Sequence, residues 1–355
     1  MNNFDRYIKE IIQTFKSKSP FVVFKKPNEF KLIAYFINTK EIVYLSDFKE
    51  EGFVFSPFNN NDTILFPLNK CVKKEITFKE EDVINNDFKS SFILKNDEDK
   101  TSKQKHIKLV QKAIDFIEDG KADKIVLSRM EKITALNFDL EKSFKKMLGK
   151  YPNAFVYIWF HPKIGLWMGA TPEKLISVEK NTFKTMALAG TQVYKNKLDV
   201  NWKLKEQKEQ QFVTNYIVET IKPFSKEVKI TNPFTVKAGN LLHIRTDISA
   251  KLTSKNTLKP LIFALHPTPA VCGLPKNVAT KFILENENYD RSYYTGFLGE
   301  LNIQNKSNLF VNLRCMQLKG DKIHIYVGGG ITKESSAEKE WEETENKALV
   351  IKSVL

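Results

Sequence analysis

The sequence predicts a mixed α/β protein, packed as one large domain or two smaller ones. Three observations carry this. Short apolar runs separated by polar turns, PFVVF, KLIAYFI, EIVYL and GFVFSPF, follow one another early in the chain and have the character of strands. Apolar residues at helical spacing, as at Ile107, Val110, Ile114 and Ile117, alternate with such runs further on. With 355 residues and 42% hydrophobic content, the chain can bury a large core.

Taken in order, MNNFDRYIKEIIQTF is an amphipathic helix that mixes acidic and basic residues. It has no continuous apolar centre, so it does not read as a secretory signal. No stretch reaches the roughly 18 apolar residues of a membrane span. The early strands carry no chemistry and read as scaffold. Residues 85–105 turn polar and charged, which predicts a surface loop or linker. The helix that follows closes at Gly120.

KADKIVLSR is then a buried type of strand introduced by Lys124, a position where a lysine is either solvated or aimed into a site. GLWMGATPEKL is an apolar strand that breaks at Gly169-Ala170-Thr171-Pro172. Glu173 opens the next element there, as a helix cap or as an acid facing a cleft. TMALAGT ends an apolar run on Gly190 and Thr191, whose backbone can approach an anion. Residues 200–221 form a long helix with Lys205, Glu209, Val213 and Tyr216 on one face. LLHIRTDISA is a strand, and LHPTPAVCGLP is a proline-stiffened loop whose His266 is more often packed than catalytic. RSYYTGFLGEL and LFVNLRCMQL read as strands offering Tyr294 and Arg314. An arginine in an apolar strand is costly to bury without an anionic partner.

The segment 326–347, YVGGGITKESSAEKEWEETENK, concentrates the chemistry. Gly328, Gly329 and Gly330 read as a turn after a strand, open to close approach by a ligand. Ser335 to Glu338 reads as a capping box that starts a helix. On that helix Glu340, Glu343 and Lys347 share an arc of about 60° at about 100° per residue. The acidic run is either a solvated face or a unit that holds a hard cation and a carboxylate together.

A formal charge of +14, from 56 Lys+Arg against 42 Asp+Glu, favours anionic partners. The basic residues are spread along the chain, with no Arg-rich arm and no aromatic stacking motif, which argues against nucleic acid. Cys71, Cys272 and Cys315 are far apart, without metal-ligand spacing, and fit a reducing, cytoplasmic setting without disulfides or structural zinc.

In order and spacing, KIVLSR, GATPE, LAGT, the KEQKEQ helix, LHPTPAVCG, RSYYTG, the strand arginine and GGGITKESSAEKEWEET resemble the chorismate-binding enzymes. That family includes isochorismate synthase, salicylate synthase and the large chains of anthranilate and aminodeoxychorismate synthases. The resemblance covers about residues 103–355, and residues 1–102 share only general character. It implies one α/β sandwich domain over 1–355, with the active site between the strand layers. Carried over residue by residue, it implies Mg2+ on Glu209 and Glu343, with Glu340 acting through water. The metal would hold the ring carboxylate of chorismate, helped by Lys347 and the amides of Gly190 and Thr191. Arg314, Tyr294 and the Gly330 amide would hold the enolpyruvyl carboxylate, and His266 would contact or support the ring.

Within the family, Lys124, with Ala at position 189, implies water as nucleophile instead of an amine, hence no glutaminase subunit. Isochorismate synthase is the expected activity, with salicylate synthase the alternative. By analogy the chain would be a cytoplasmic monomer, serving menaquinone or else siderophore biosynthesis. Adding water at C2 and expelling the C4 hydroxyl needs a base and an acid on opposite sides of the ring. Lys124 would be the base, needing a lowered pKa, and Glu173 the acid, needing a raised one.

Overall fold

The computed structural model describes residues 2–84, 94–96, 101–135, 138–238, 241–254 and 257–355. The chain begins α1 (Asn3–Lys16), β1 (Phe21–Lys25), β2 (Lys31–Ile37), β3 (Val43–Tyr44), β4 (Gly52–Ser56), β5 (Ile64–Pro67), β6 (Cys71–Thr77), α2 (Glu81–Ile84) and β7 (Leu94–Asn96). It continues α3 (Ser102–Glu118), β8 (Lys124–Ala135), α4 (Leu140–Lys150), β9 (Phe155–His161), β10 (Gly165–Thr171), β11 (Lys174–Glu179) and β12 (Thr182–Val193). Next come α5 (Leu204–Ile221), β13 (Ser225–Ile230), β14 (Phe234–Ala238), β15 (Leu241–Leu252), α6 (Leu258–Leu265), β16 (Gly273–Leu274) and α7 (Lys276–Asn286). The chain closes with β17 (Phe297–Ile303), β18 (Lys306–Val311), β19 (Cys315–Lys319), β20 (Lys322–Ile331) and α8 (Ala337–Lys352).

Among the described residues the strands form two ten-stranded sheets. The first runs β16-β8-β20-β19-β10-β9-β1-β2-β6, with β7 also on β8. The second runs β13-β15-β12-β11-β18-β17-β4-β5-β3, with β14 also on β15. The long ladders are antiparallel. The first eighty residues contribute to both layers: β1 extends the first sheet from β9, and β4 extends the second from β17.

Each sheet buries one face against helices and the other against its partner sheet, giving the sandwich that was expected. Helices α1, α4 and α8 cover the first sheet through Ile8, Phe144 and Ile351. Helices α5 and α6 cover the second through Val213, Ile217 and Leu261. Between the sheets lies an aromatic core in which Phe155 of the first sheet stacks on Phe310 of the second, ring centroids 4.3 Å apart. Phe24 meets Phe53 across the same gap at 5.2 Å.

Two segments cross from one sheet to the other side by side. Residues 172–173 lead from β10 to β11, and 312–314 lead back from β18 to β19. They are tied to each other, because the Ala170 amide donates to the Arg314 carbonyl at 3.1 Å and the Val311 amide to the Glu173 carbonyl at 3.0 Å. Glu173 and Arg314 therefore sit where this ribbon bends between the layers.

Several expectations are corrected. Gly328–Gly330 form no turn: they lie within β20, paired with Ser128, Leu127 and Val126 of β8, because the ladder continues through them. The long helix expected over 200–221 begins at Leu204. Ser336 is the N-cap of α8 but makes no side-chain capping bond. Ser335 instead accepts from the Thr332 amide and donates to Glu340, so the capping box is absent. Tyr294 and Arg314 lie outside the strands, in the turn before β17 and in the second crossover. Of the polar stretch 85–105, residues 85–93 and 97–100 lie outside the described residues, while 94–96 is a strand on β8.

Trp167, on β10, is completely buried in the interlayer core and stacks on Tyr326 at 5.2 Å. Trp167→Ala leaves a large cavity there, and urea unfolding should show about 3–5 kcal/mol less stability.

Candidate active site

Beside the crossover ribbon the layers part around a cleft with about 1030 Å³ of atom-free space, part of it open to solvent. The first sheet contributes Val126 of β8 and Tyr326–Gly330 of β20. The second contributes Leu188–Thr191 of β12 and His243 of β15. Helices supply Lys205, Glu206 and Glu209 from α5 and Glu343 and Lys347 from α8, and the crossovers supply Glu173 and Arg314.

The glycines are needed for what packs on them. A Cβ on Gly330 would stand 2.8 Å from Glu209 Oε1 and 2.9 Å from Lys124 Cε, and one on Gly329 would stand 3.1 Å from Glu340 Oε2. Lys124, fully buried at the start of β8, donates from Nζ to Glu209 Oε1 at 2.7 Å. Burial pushes the Glu209 carboxyl up, but the charge and hydrogen bond of Lys124 outweigh it and hold the group below its usual range. Lys347 donates to the Gly328 carbonyl at 2.9 Å and pairs with Glu343 at 2.7 Å. Lys205 pairs with Glu340 Oε1 at 2.9 Å. Burial and then the neighbouring Glu343 raise the Glu340 carboxyl, and its Oε2 is buried with no hydrogen-bond partner.

On the opposite wall, burial pushes Glu173 up to about 7 against the pull of Lys124, Arg314 and Lys347. It is therefore a carboxyl that holds a proton near neutral pH. Arg314 adopts the left-handed region, φ 49°, which a non-glycine residue enters only at some cost. Burial lowers its guanidinium to about 10, still charged at neutral pH. Its NH2 group donates to His243 Nε2 at 2.7 Å, while His243 Nδ1 donates to the Gly190 carbonyl at 2.9 Å. That tautomer is neutral, in keeping with burial and then Arg314 lowering the imidazole to about 3. Gly190 takes φ 71° at an irregularity in the β12–β15 register, which turns its carbonyl to His243.

Of the residues singled out in the sequence, Glu173, Gly190, Thr191, Glu209, Tyr294, Arg314, Gly330, Glu343 and Lys347 line this cleft. Lys124 and Glu340 stand directly behind it, on Glu209 and against Gly329. His266 does not line it: fully buried, it donates from Nε2 to the Thr295 carbonyl at 2.9 Å and packs edge-on against Phe297. His243 and Lys205 were given no role from the sequence, yet both touch the charged groups. The alternation of LLHIRTD puts His243 on the same sheet face as Arg245, which marks a polar face of the strand without telling which partners His243 meets there.

The donor set suits a hard divalent cation: three carboxylates, one with a buried oxygen left over, around glycines that leave room for them. Among the described residues, however, no three His, Cys, Asp or Glu side chains converge enough to enclose a metal, because each of these carboxylates leans on a lysine.

Between the two layers the fold thus gathers lysines, carboxylates and one arginine into a single cleft. The chain matches the chorismate binding enzymes over residues 56–355 and belongs to that family. It is 29% identical to the isochorismate synthase MenF of Escherichia coli over 260 residues, covering 70% of this chain and 59% of that protein. It is 28% identical to EntC, an isochorismate synthase of the same species, over 251 residues, covering 66% and 63%. The matched region thus spans about three fifths of these relatives. A putative 2,3-dihydroxybenzoate-specific isochorismate synthase, DhbC from Bacillus anthracis, shares the fold with a TM-score of 0.80 at 21% identity, over 98% of this chain and 99% of that one. Among the described residues no helix is long and apolar enough to cross a membrane.

Glu173 also predicts a pH dependence. The folded protein keeps this proton up to about pH 7, whereas the unfolded chain releases it near 4.5. Between those values the folded state binds more protons, so stability falls as pH rises, by about 3 kcal/mol in total for this group. Urea unfolding at about pH 5 and about pH 7.5 should show the loss, and Glu173→Gln should remove its share of the slope.

Proposed function

We propose that the protein is an isochorismate synthase that uses Mg2+ and acts on chorismate with water as the nucleophile. The observation that carries this is Glu173, a fully buried carboxyl held to about 7 in the same cleft as Arg314 and Lys347. Such a group is protonated often enough at neutral pH to give its proton to a leaving hydroxyl.

In this reading Lys124, whose ammonium donates to Glu209 in this structure, first releases a proton to solvent, and the neutral amine then takes a proton from the water that bonds to C2. The ring double bonds shift, and the C4–O bond breaks as Glu173 protonates the departing hydroxyl. One water is added and one is released, so the product is an isomer. Arg314, oriented by neutral His243, and Tyr294 hold the enolpyruvyl carboxylate with the Gly330 amide. Lys347 and the amides of Gly190 and Thr191 hold the ring carboxylate. Glu209 and Glu343 would hold Mg2+, with Glu340 behind them, and the metal would supply positive charge for the ring carboxylate. No glutaminase subunit is expected, because by the family resemblance Lys124 and Ala189 select water as the nucleophile over ammonia.

Purified protein with chorismate and Mg2+ should give a reversible mixture of chorismate and isochorismate by chromatography, abolished by EDTA. Salicylate with equimolar pyruvate would replace this reading with salicylate synthase, and unchanged chorismate would remove it. Lys124→Ala and Glu173→Gln should each lower kcat by about 10²–10⁴-fold with the fold intact by circular dichroism. Gly330→Ala, whose Cβ would meet Glu209 and Lys124 at under 3 Å, should lower turnover by about 10²-fold as a displaced site does.

A further inference from the structure

Helix α8 brings Glu340, Glu343 and Lys347 to the cleft, and a residue outside the cleft fixes how it lies on the first sheet. Arg129, on β8 opposite Val327 of β20, is buried and is not among the residues that line the cleft. Its guanidinium lies over the Trp341 ring, 4.2 Å from the centroid. Its Nε donates to Thr344 Oγ1 at 2.9 Å, and its NH2 group donates to Glu345. The Thr344 hydroxyl donates in turn to the Trp341 carbonyl at 2.7 Å, and His106 of α3 packs against the Trp341 ring at 5.8 Å. Two residues along β8 on the same face, Glu131 is fully buried and pairs with both Arg129 and Lys352, at the end of α8.

These contacts set an angle as well as a distance. At about 100° per residue, Trp341, Thr344 and Glu345 lie about a third of a turn round the helix from Glu340, Glu343 and Lys347. Any rotation of α8 about its axis moves both groups together. At an outer radius of about 5–6 Å, a rotation of about 10° displaces a side chain by about 1 Å. Apolar packing, as at Ile351, is non-directional, whereas a planar guanidinium stacked on one ring and bonded to two neighbouring side chains has one angular setting. A buried arginine is a costly way to join a strand to a helix when apolar side chains of similar volume would serve. Direction is what it adds.

We propose that Arg129 is a positioning residue, which fixes the rotation of α8 on β8 and so sets Glu340 and Glu343 where a divalent cation can be held. This rests on the metal reading given above and extends it to a side chain that touches neither metal nor substrate. Mg2+ demands near-ideal octahedral geometry, so a displacement of about 1 Å is enough to cost affinity.

Mn2+, which takes the same oxygen donors, serves as the probe, and the paramagnetic resonance of the free ion reads its binding to the full chain without turnover. The unaltered protein should bind Mn2+ saturably. Arg129→Met keeps the bulk and loses the fork, and Arg129→Lys keeps only the charge. Each should weaken Mn2+ by about 10-fold or more with circular dichroism unchanged. Thr344→Val should weaken it too, and Thr344→Ser, which restores the hydroxyl, should not, so the contact is probed even where an arginine variant does not fold. Ile8→Ala, a core change under α1, should lower stability to urea and leave Mn2+ affinity as it was. Equal affinity in the unaltered protein, Arg129→Met and Thr344→Val overturns the proposal. So does a loss in Ile8→Ala as large as in the arginine variants, which would make metal binding follow stability alone. Absence of Mn2+ binding by the unaltered protein is a distinct result, which defeats the metal reading and this proposal with it.

Discussion

The cleft depends on one buried ion pair. Lys124, fully buried, enters from the first sheet and Glu209, partly open to the cleft, from the helix that covers the second, and they meet at 2.7 Å. Burying the Lys124 charge is expensive, and removing Glu209 would leave it without its partner, so the geometry around them is tightly constrained. Gly330 follows from that constraint, because any side chain there would occupy the space in which the two groups meet. Gly329 plays the same part for Glu340. The glycines of β20 serve close packing by neighbouring side chains, and the strand runs straight through them.

Around that pair the charges are nearly balanced. Lys124, Lys205 and Lys347 each hold a carboxylate, while Glu173, across the cleft, has burial as its dominant influence and stays near neutrality. Glu209 is thereby held below its usual range, while Glu340, deeper and beside Glu343, is raised, and the separate Glu173 is kept ready to carry a proton. Side chains of one chemical type, Glu173 and Glu209, are shifted in opposite directions by their surroundings alone.

Much of this was legible in the sequence, because the motif-bearing residues are those whose side chains reach the cleft. Glu173, Glu209 and Arg314 stood out as charges next to apolar runs, which is costly unless something answers them, and Lys347 as a cation sharing a helix arc with Glu340 and Glu343. What was misread followed from treating local signals as decisive. Three glycines read as a turn, yet the β8 ladder carries them as strand. Ser335 read as half of a capping box, yet Glu340 offers its hydroxyl a better acceptor across the loop. His266 attracted attention beside its prolines, but its hydrogen bonds are spent on packing. His243 drew none, since nothing in a single strand tells that Gly190 of β12 and Arg314 of a crossover will meet at its two ring nitrogens.

The paired crossovers have a mechanical consequence. The strands β10–β11 and β18–β19 form one ribbon threaded through both layers, with Glu173 and Arg314 mounted at its bend and each other's backbone as anchor. If one sheet slides against the other, these two side chains travel together and keep their spacing. Lys124 and Glu209, which belong to opposite layers, do not share such a mount. Sliding of the layers would therefore adjust the gap between the two walls of the cleft while leaving the wall that carries Glu173 and Arg314 internally rigid, as the jaw of a vice moves without changing shape.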